Sequence, residues 1–304
     1  MIRPATGTGS LIPFLILLAV GGAWGAVPAI ARIAVTGGVE PMGYVFWVAV
    51  AAASLCWMFC LLRGVRPKFS RPYIRYYLLS GCTRFVLAGF VMYLVLQNVP
   101  AGNVAIMLGT SPLLTVVASV TLKFEKFSVI RSIGILTGLA GIALMFAPGA
   151  GLPENISAQW LALGLLPPLI YAFSNIVIDR ARPAGADSMA LTAGMFTLAS
   201  SIALPLALAT GQFHPLWAVR FGLPEAAMFG HAAILSFCFF GLYELIRRAG
   251  ATFGGQATYV TTMTGVLYGM LLLGERSGVW VWAAAALVLA GVGLVNSSRK
   301  PGSR

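Results

Sequence analysis

The sequence predicts an all-α integral membrane protein, with ten transmembrane helices built as two inverted five-helix repeats and both termini cytoplasmic. Three observations predict it. The chain is 59% hydrophobic and only 9% charged, whereas a soluble domain carries roughly a quarter charged residues. That supply of polar side chains cannot cover a water-facing surface, so most of the exterior must meet lipid. Ten apolar runs are each long enough to cross a bilayer. Finally, one segment of the chain is written twice.

A hydrocarbon core of ~30 Å takes ~20 helical residues. Runs of that order occur near 11–35, 43–62, 73–96, 102–122 and 129–146, and again near 160–178, 189–210, 226–246, 253–273 and 279–295. The first run, LIPFLILLAVGGAWGAVPAIARIAV, is too long for the core of a secretory signal and reads as the first span. Four cysteines, Cys56, Cys60, Cys82 and Cys238, lie inside apolar runs with no C-x-x-C pair, so they read as packing residues, and no metal or cofactor is expected.

Net charge is +12. In a soluble chain this would suggest a nucleic-acid partner, but in a membrane protein the cytoplasmic loops collect Lys and Arg. With the N-terminus placed inside, sixteen of the 20 Lys and Arg fall in cytoplasmic segments and only Arg220 and Arg276 fall outside, while Arg32 and Arg84 remain within spans. The opposite topology would invert that ratio. No nucleic acid is expected as a partner; the lipid bilayer and a small-molecule substrate are, with the chain working as a monomer in a bacterial-type cytoplasmic (inner) membrane.

The duplicated segment is KFEKFSVIRSIGILTGLAGIALM, beginning at Lys123, against LGERSGVWVWAAAALVLAGVGLV, beginning at Leu273. Glu125 aligns with Glu275 (275 − 125 = 150), and Leu139-Ala140-Gly141 with Leu289-Ala290-Gly291 at the same offset. Phe90, Tyr93 and Ala101 pair likewise with Phe240, Tyr243 and Ala251, and at one residue less Trp24 stands opposite Phe173. Each half holds an odd number of spans, so the copies enter the membrane from opposite sides. We therefore expect a first repeat over 1–148, an extracytoplasmic linker over 149–158 and an inverted repeat over 159–304. Inverted repeats of this kind accompany alternating access in transporters.

GGAWGAVPA in the first span, GTSPLLTVVASVTLKFEKFS through the fourth, and GER before a glycine-rich last span resemble the drug/metabolite transporter superfamily, and within it the EamA-type ten-helix exporters. The general likeness leans towards the YddG-like amino-acid exporters. The sequence departs from the pattern in lacking a glycine before Glu125. The resemblance implies that spans one, three, four, six, eight and nine surround a central cavity, with spans five and ten further out, and that the cargo is a small organic solute.

Within that frame, helix breakers and deep polar residues nominate the site. Pro28, Pro112 and Pro167-Pro168 interrupt the first, fourth and sixth spans; an interior proline frees a carbonyl that in lipid needs a neighbour or a watery cavity. The alternative is a built-in kink. Arg84 lies eleven residues after Tyr73, ~16 Å into its helix at 1.5 Å per residue. There an unpaired arginine costs at least ~2.5–3.5 kcal/mol. It either faces the cavity and attracts a carboxylate or bonds backbone carbonyls as internal glue. Tyr171 and Asn175 share a helix face, and Trp24 and Phe173 are set beside them as an aromatic wall. Asn103, Tyr259 and His231 complete the substrate-binding candidates, His231 being either a cargo or proton contact or a structural histidine. Gly21/Gly25 and Gly134/Gly138, each four apart, read as packing surfaces, and Glu244 with Arg248 as a helix-surface ion pair.

No acidic residue lies in the first span and none is placed at mid-depth, which disfavours a carboxylate proton relay. The sequence thus predicts a facilitative exporter of small metabolites, amino acids foremost and aromatic or apolar ones included. The alternatives are proton-coupled export of other small solutes such as nucleobases or drugs, or a channel. An enzyme is not expected, since two histidines cannot build a deep catalytic cluster.

Overall fold

The computed structural model describes residues 11–123, 129–145 and 157–297. They form ten spanning helices: α1 Leu11–Thr36, α2 Pro41–Leu62, α3 Arg71–Leu96, α4 Ala101–Thr121, α5 Val129–Met145, α6 Ala158–Gly164 continued by Leu166–Ala181, α7 Ser188–Ala209, α8 Leu223–Ala249, α9 Ala257–Leu273 and α10 Val279–Ser297. Eight are long and apolar enough to span a membrane outright, and α5 and α9 are shorter apolar helices.

Inversion is written into the contacts. α5 packs on α10, and α2 on α7; α1 touches α8 and α9 just as α6 touches α3 and α4. The backbones of α5 and α10 meet at the duplicated glycines. A Cβ on Gly141 would stand 2.8 Å from the Ala284 carbonyl, and one on Gly291 would stand 2.4 Å from the Gly134 carbonyl. Gly134 and Ala284 are themselves 150 apart (284 − 134 = 150). Moving up one helix moves down the other, so α5 and α10 cross antiparallel and each repeat presents equivalent positions to its counterpart. Without a hydrophobic force between helices in lipid, such backbone contact is what dispersion can use. Glu125 lies outside the described residues.

Other small residues act in the same way. Gly25 meets Thr264 and Gly265, and Gly109 meets Thr262, at distances no Cβ could share. α2 and α7 pack on each other, and their Ala49, Ala52, Ala199 and Ala203 are wholly buried. Trp57 Nε1 donates to Thr197 Oγ1 across that interface at 3.0 Å. Glu244 accepts from both Arg247 and Arg248 at the end of α8.

The breakers behave differently from one another. α4 divides at Thr110, just before Ser111-Pro112, and α6 at Leu165, just before Pro167. A proline has no N–H to give the turn ahead of it and its ring crowds the carbonyl four residues back, so the helical ladder is interrupted there. α1 runs on through Pro28, and α7 through Pro205. α9 begins after a short helical turn at Ala251–Gly254, where the sequence suggested a single run.

Candidate substrate cavity

Where α1, α3, α4, α6, α8 and the first half of α9 converge they enclose a cavity of about 790 Å³. α7 and α10 contribute only Met195 and Asn296. At one end the lining includes exposed Arg180 and Ile246, beside Gly254 and Gly255; at the other it stops at buried Met92, Tyr93, Ala105 and His231. The cavity therefore reaches the surface where α6 and α8 finish, the end that the charge bias assigns to the cytoplasm.

Arg84 owes its position to a local irregularity. Residues Gly81–Leu87 of α3 wind as a π-helical turn, a feature that shifts the facing of the residues it holds and recurs at functional sites. Gly81 lets this turn sit against α7, where a Cβ would lie 3.1 Å from the Met195 carbonyl. From it Arg84 Nη1 donates to Asn175 Oδ1 at 3.1 Å, and Asn175 Nδ2 donates to Thr115 Oγ1 at 3.3 Å. Beside them Ser174 Oγ donates to Thr83 Oγ1 at 2.8 Å. The guanidinium also lies 5.9 Å from the ring centre of Tyr171, within cation–π range. No carboxylate among the described side chains pairs with Arg84. The glue reading of Arg84, bonds to backbone carbonyls, is thus replaced by a side-chain relay from α3 through α6 to α4.

Trp24 meets Phe239 edge-to-face, 5.5 Å between ring centres, and forms an apolar wall with it. His231 closes the far end. Its Nδ1 shares a 2.8 Å hydrogen bond with Tyr44 Oη, and Nε2 has no hydrogen-bond partner among the described residues. Tyr44 is held edge-to-face by Tyr93, 4.5 Å between centres.

Three of the expected residues lie off the lining of this cavity. Phe173 is 55% exposed; it follows Tyr171 by two, which puts it roughly 200° round the helix from the cavity face. Tyr259 does not line the cavity: its hydroxyl accepts from Asn296 Nδ2 at 3.2 Å, and its ring packs on Leu113, Val116 and Val292 behind α4. Asn103 is buried beside the lining residues without being one of them, and its Nδ2 has no partner among the described residues. Against these, Phe239, Thr115, Thr258, Thr261 and Asn296 line the cavity without being among the expected substrate-binding residues. The hydroxyl stripe was legible in Ser111/Thr115 and Thr258/Thr261, which fall at helical spacing; Phe239 carried no such signal.

The closed end is tied by one carboxylate. Glu275, in the loop between α9 and α10, accepts from Ala101 N at 2.6 Å and Gly102 N at 3.0 Å, the first free amides of α4. Arg32 of α1 lies 3.9 Å from the same carboxylate and donates to the Val99 carbonyl.

The EamA-like transporter family matches this chain over residues 11–147 and a second time over 158–297. The chain belongs to that family. It is 30% identical over 282 residues to YedA, an uncharacterized inner membrane transporter of Escherichia coli K12, covering 90% of this chain and 87% of the other. A membrane protein of Saccharomyces cerevisiae, YMR253C, also uncharacterized, is 23% identical over 250 residues, 73% of this chain and 57% of that one. A solved crystal structure superposes with a TM-score of 0.64 at 18% identity, over 93% of this chain and 96% of the other; at that identity it speaks for the fold alone. As an EamA-family member the chain is a multi-pass membrane transporter of small solutes, and its two matched stretches coincide with the five-helix halves related by the α5–α10 crossing.

Proposed function

We propose that this protein exports small carboxylate-bearing metabolites, amino acids foremost, from the cytoplasm by alternating access between halves 1–148 and 159–304 joined by the linker 149–158. It acts as a facilitator and as a monomer, in the inner membrane, with both termini inside. The observation that carries the cargo class is Arg84: a cavity-lining cation whose neighbours, among the described side chains, are an amide, a hydroxyl and an aromatic face rather than an acid. A guanidinium has five N–H donors in a fork that fits a carboxylate, and one of them is engaged by Asn175. Trp24 with Phe239 gives variable side chains an apolar wall, and the hydroxyls of Ser111, Thr115, Thr258 and Thr261 offer acceptors for an ammonium. The volume suits a small solute with some of its water. His231 Nε2, the unpartnered nitrogen at the closed end, supports a further polar contact to the bound solute.

Uniport is supported by where the described carboxylates sit. Glu40 and Asp187 flank helix starts, Glu225 lies in the first turn of α8, Glu244 is held by two arginines, and Glu275 occupies a loop. None of these lines the cavity.

Counterflow in proteoliposomes tests this reading: preloaded amino acid should drive uptake of labelled amino acid, and Arg84→Gln should raise the half-saturating concentration. Exchange of nucleobases with no exchange of any amino acid would replace the carboxylate cargo with a neutral heterocycle held by Trp24, Tyr171 and His231.

A further inference from the structure

We propose that Glu275 is the latch of the outer gate, and that its release from the start of α4 is the step that lets the cavity open to the outside. This rests on the alternating-access reading above and adds the residue that sets its balance. Four observations carry it.

First, the contact joins the two halves. Glu275 follows α9 in the second repeat, and its acceptors are satisfied by Ala101 N and Gly102 N of the first. Second, α4 has no cap of its own. Pro100 stands at its N-cap without a side-chain hydrogen bond, so the free amides and positive end of the helix are met by a carboxylate brought from far along the chain. Third, the seat is cut to fit. A Cβ on Gly269 would lie 2.4 Å from Glu275 Oε2 and 3.0 Å from Gly102 N. Fourth, the contact sits directly over the closed end of the cavity. One turn below Ala101, Ala105 ends the lining and meets Gly265 of α9. Any outward opening must part α4 from α9 there, and parting them breaks the two hydrogen bonds. Arg32 ties α1 to the same point through the carboxylate and the Val99 carbonyl. The side chains are not sealed, at 24% exposure for Arg32 and 13% for Glu275, so water can take over the freed amides and carboxylate when the gate parts. The latch is thus strong enough to bias one state and wet enough to release.

The test needs no cargo. Met92 lines the closed end of the cavity; a Met92→Cys reporter in a Cys82→Ser background is exposed to a membrane-impermeant thiol reagent from the outer side. Glu275→Gln should speed labelling roughly tenfold, because losing charge-assisted hydrogen bonds from only one of two states shifts their ratio by about that factor. Glu275→Asp should fall between. Gly269→Ala, which keeps the carboxylate but fills its seat, should move labelling the same way and stands in if the Glu275 variants do not accumulate. A Thr258→Cys reporter at the cytoplasmic mouth should label from the inner side in every variant that is folded. Measurable outer labelling that is equal in wild type, Glu275→Gln and Gly269→Ala overturns the latch and leaves alternating access standing. No outer labelling of Met92→Cys in any variant, with Thr258→Cys labelling normally, overturns both.

Discussion

Arg84 Nη1 donates to Asn175 Oδ1 across 3.1 Å, joining α3 of the first half to α6 of the second inside the cavity. The amide is a neutral partner, so it fixes the direction of the guanidinium without cancelling its charge. Arg84→Gln should therefore raise the half-saturating concentration for carboxylate-bearing solutes by about tenfold or more while the protein still folds. Arg84→Lys should recover part of this, because an ammonium keeps the charge but not the fork. Equal apparent affinity in the two variants and wild type, in counterflow, would move Arg84 to a structural role.

Asn175→Ala should cost less than Arg84→Gln, since it loosens the cation and leaves its charge in place. The two residues share one relay, so their effects should fail to add. A double variant no worse than Arg84→Gln alone is the expected outcome; a sum of the two single losses would mean they act separately.

Trp24→Ala opens the wall it makes with Phe239. We expect affinity for amino acids with large apolar side chains to fall roughly 10- to 200-fold, about 1–3 kcal/mol of lost contact, with little change for glycine or alanine. Competition of each unlabelled amino acid against one labelled cargo measures it. A uniform loss across the panel would contradict the assignment.

Glycines provide predictions of opposite sign. Gly291→Ala would set a methyl 2.4 Å from the Gly134 carbonyl, forcing α5 and α10 apart at a cost of about 1–3 kcal/mol. At Gly230 of α8 a Cβ meets nothing within 4 Å, so Gly230→Ala should be neutral or stabilise by about 0.5–1 kcal/mol through helix propensity. Thermal unfolding in detergent should show one midpoint falling and the other holding or rising.

Most of the architecture could be read along the chain. Span count, the sidedness of the loops and the twofold copy are linear properties, and hydropathy, charge and an offset of 150 (291 − 141 = 150) expose them without any contact being known. The glycines of Leu139-Ala140-Gly141 and Leu289-Ala290-Gly291 were visible as a repeat, but their use as mutual packing surfaces was not. The candidate site divides in the same way. Residue type and depth nominated Arg84, Trp24, Tyr171, Asn175 and His231, all of which line the cavity, and also Asn103, Tyr259 and Phe173, which do not.

What separates the two groups is rotation about a helix axis. Sequence fixes how deep a residue lies, through 1.5 Å of rise per residue; which way it faces depends on what packs against its helix. A π-helical turn set Arg84, and a break at Thr110 set the lower half of α4, and no hydropathy window reports either. Glu275 depended still more on the fold, for a residue in a loop gains its meaning only when the start of α4, from the other half of the chain, is brought within hydrogen-bonding reach. The chain by itself determined a twice-written, ten-span transporter with its positive side inward. Only tertiary structure decided which side chains share the cavity and which hold its outer end shut, because those are choices of facing and proximity made by helices packing on one another.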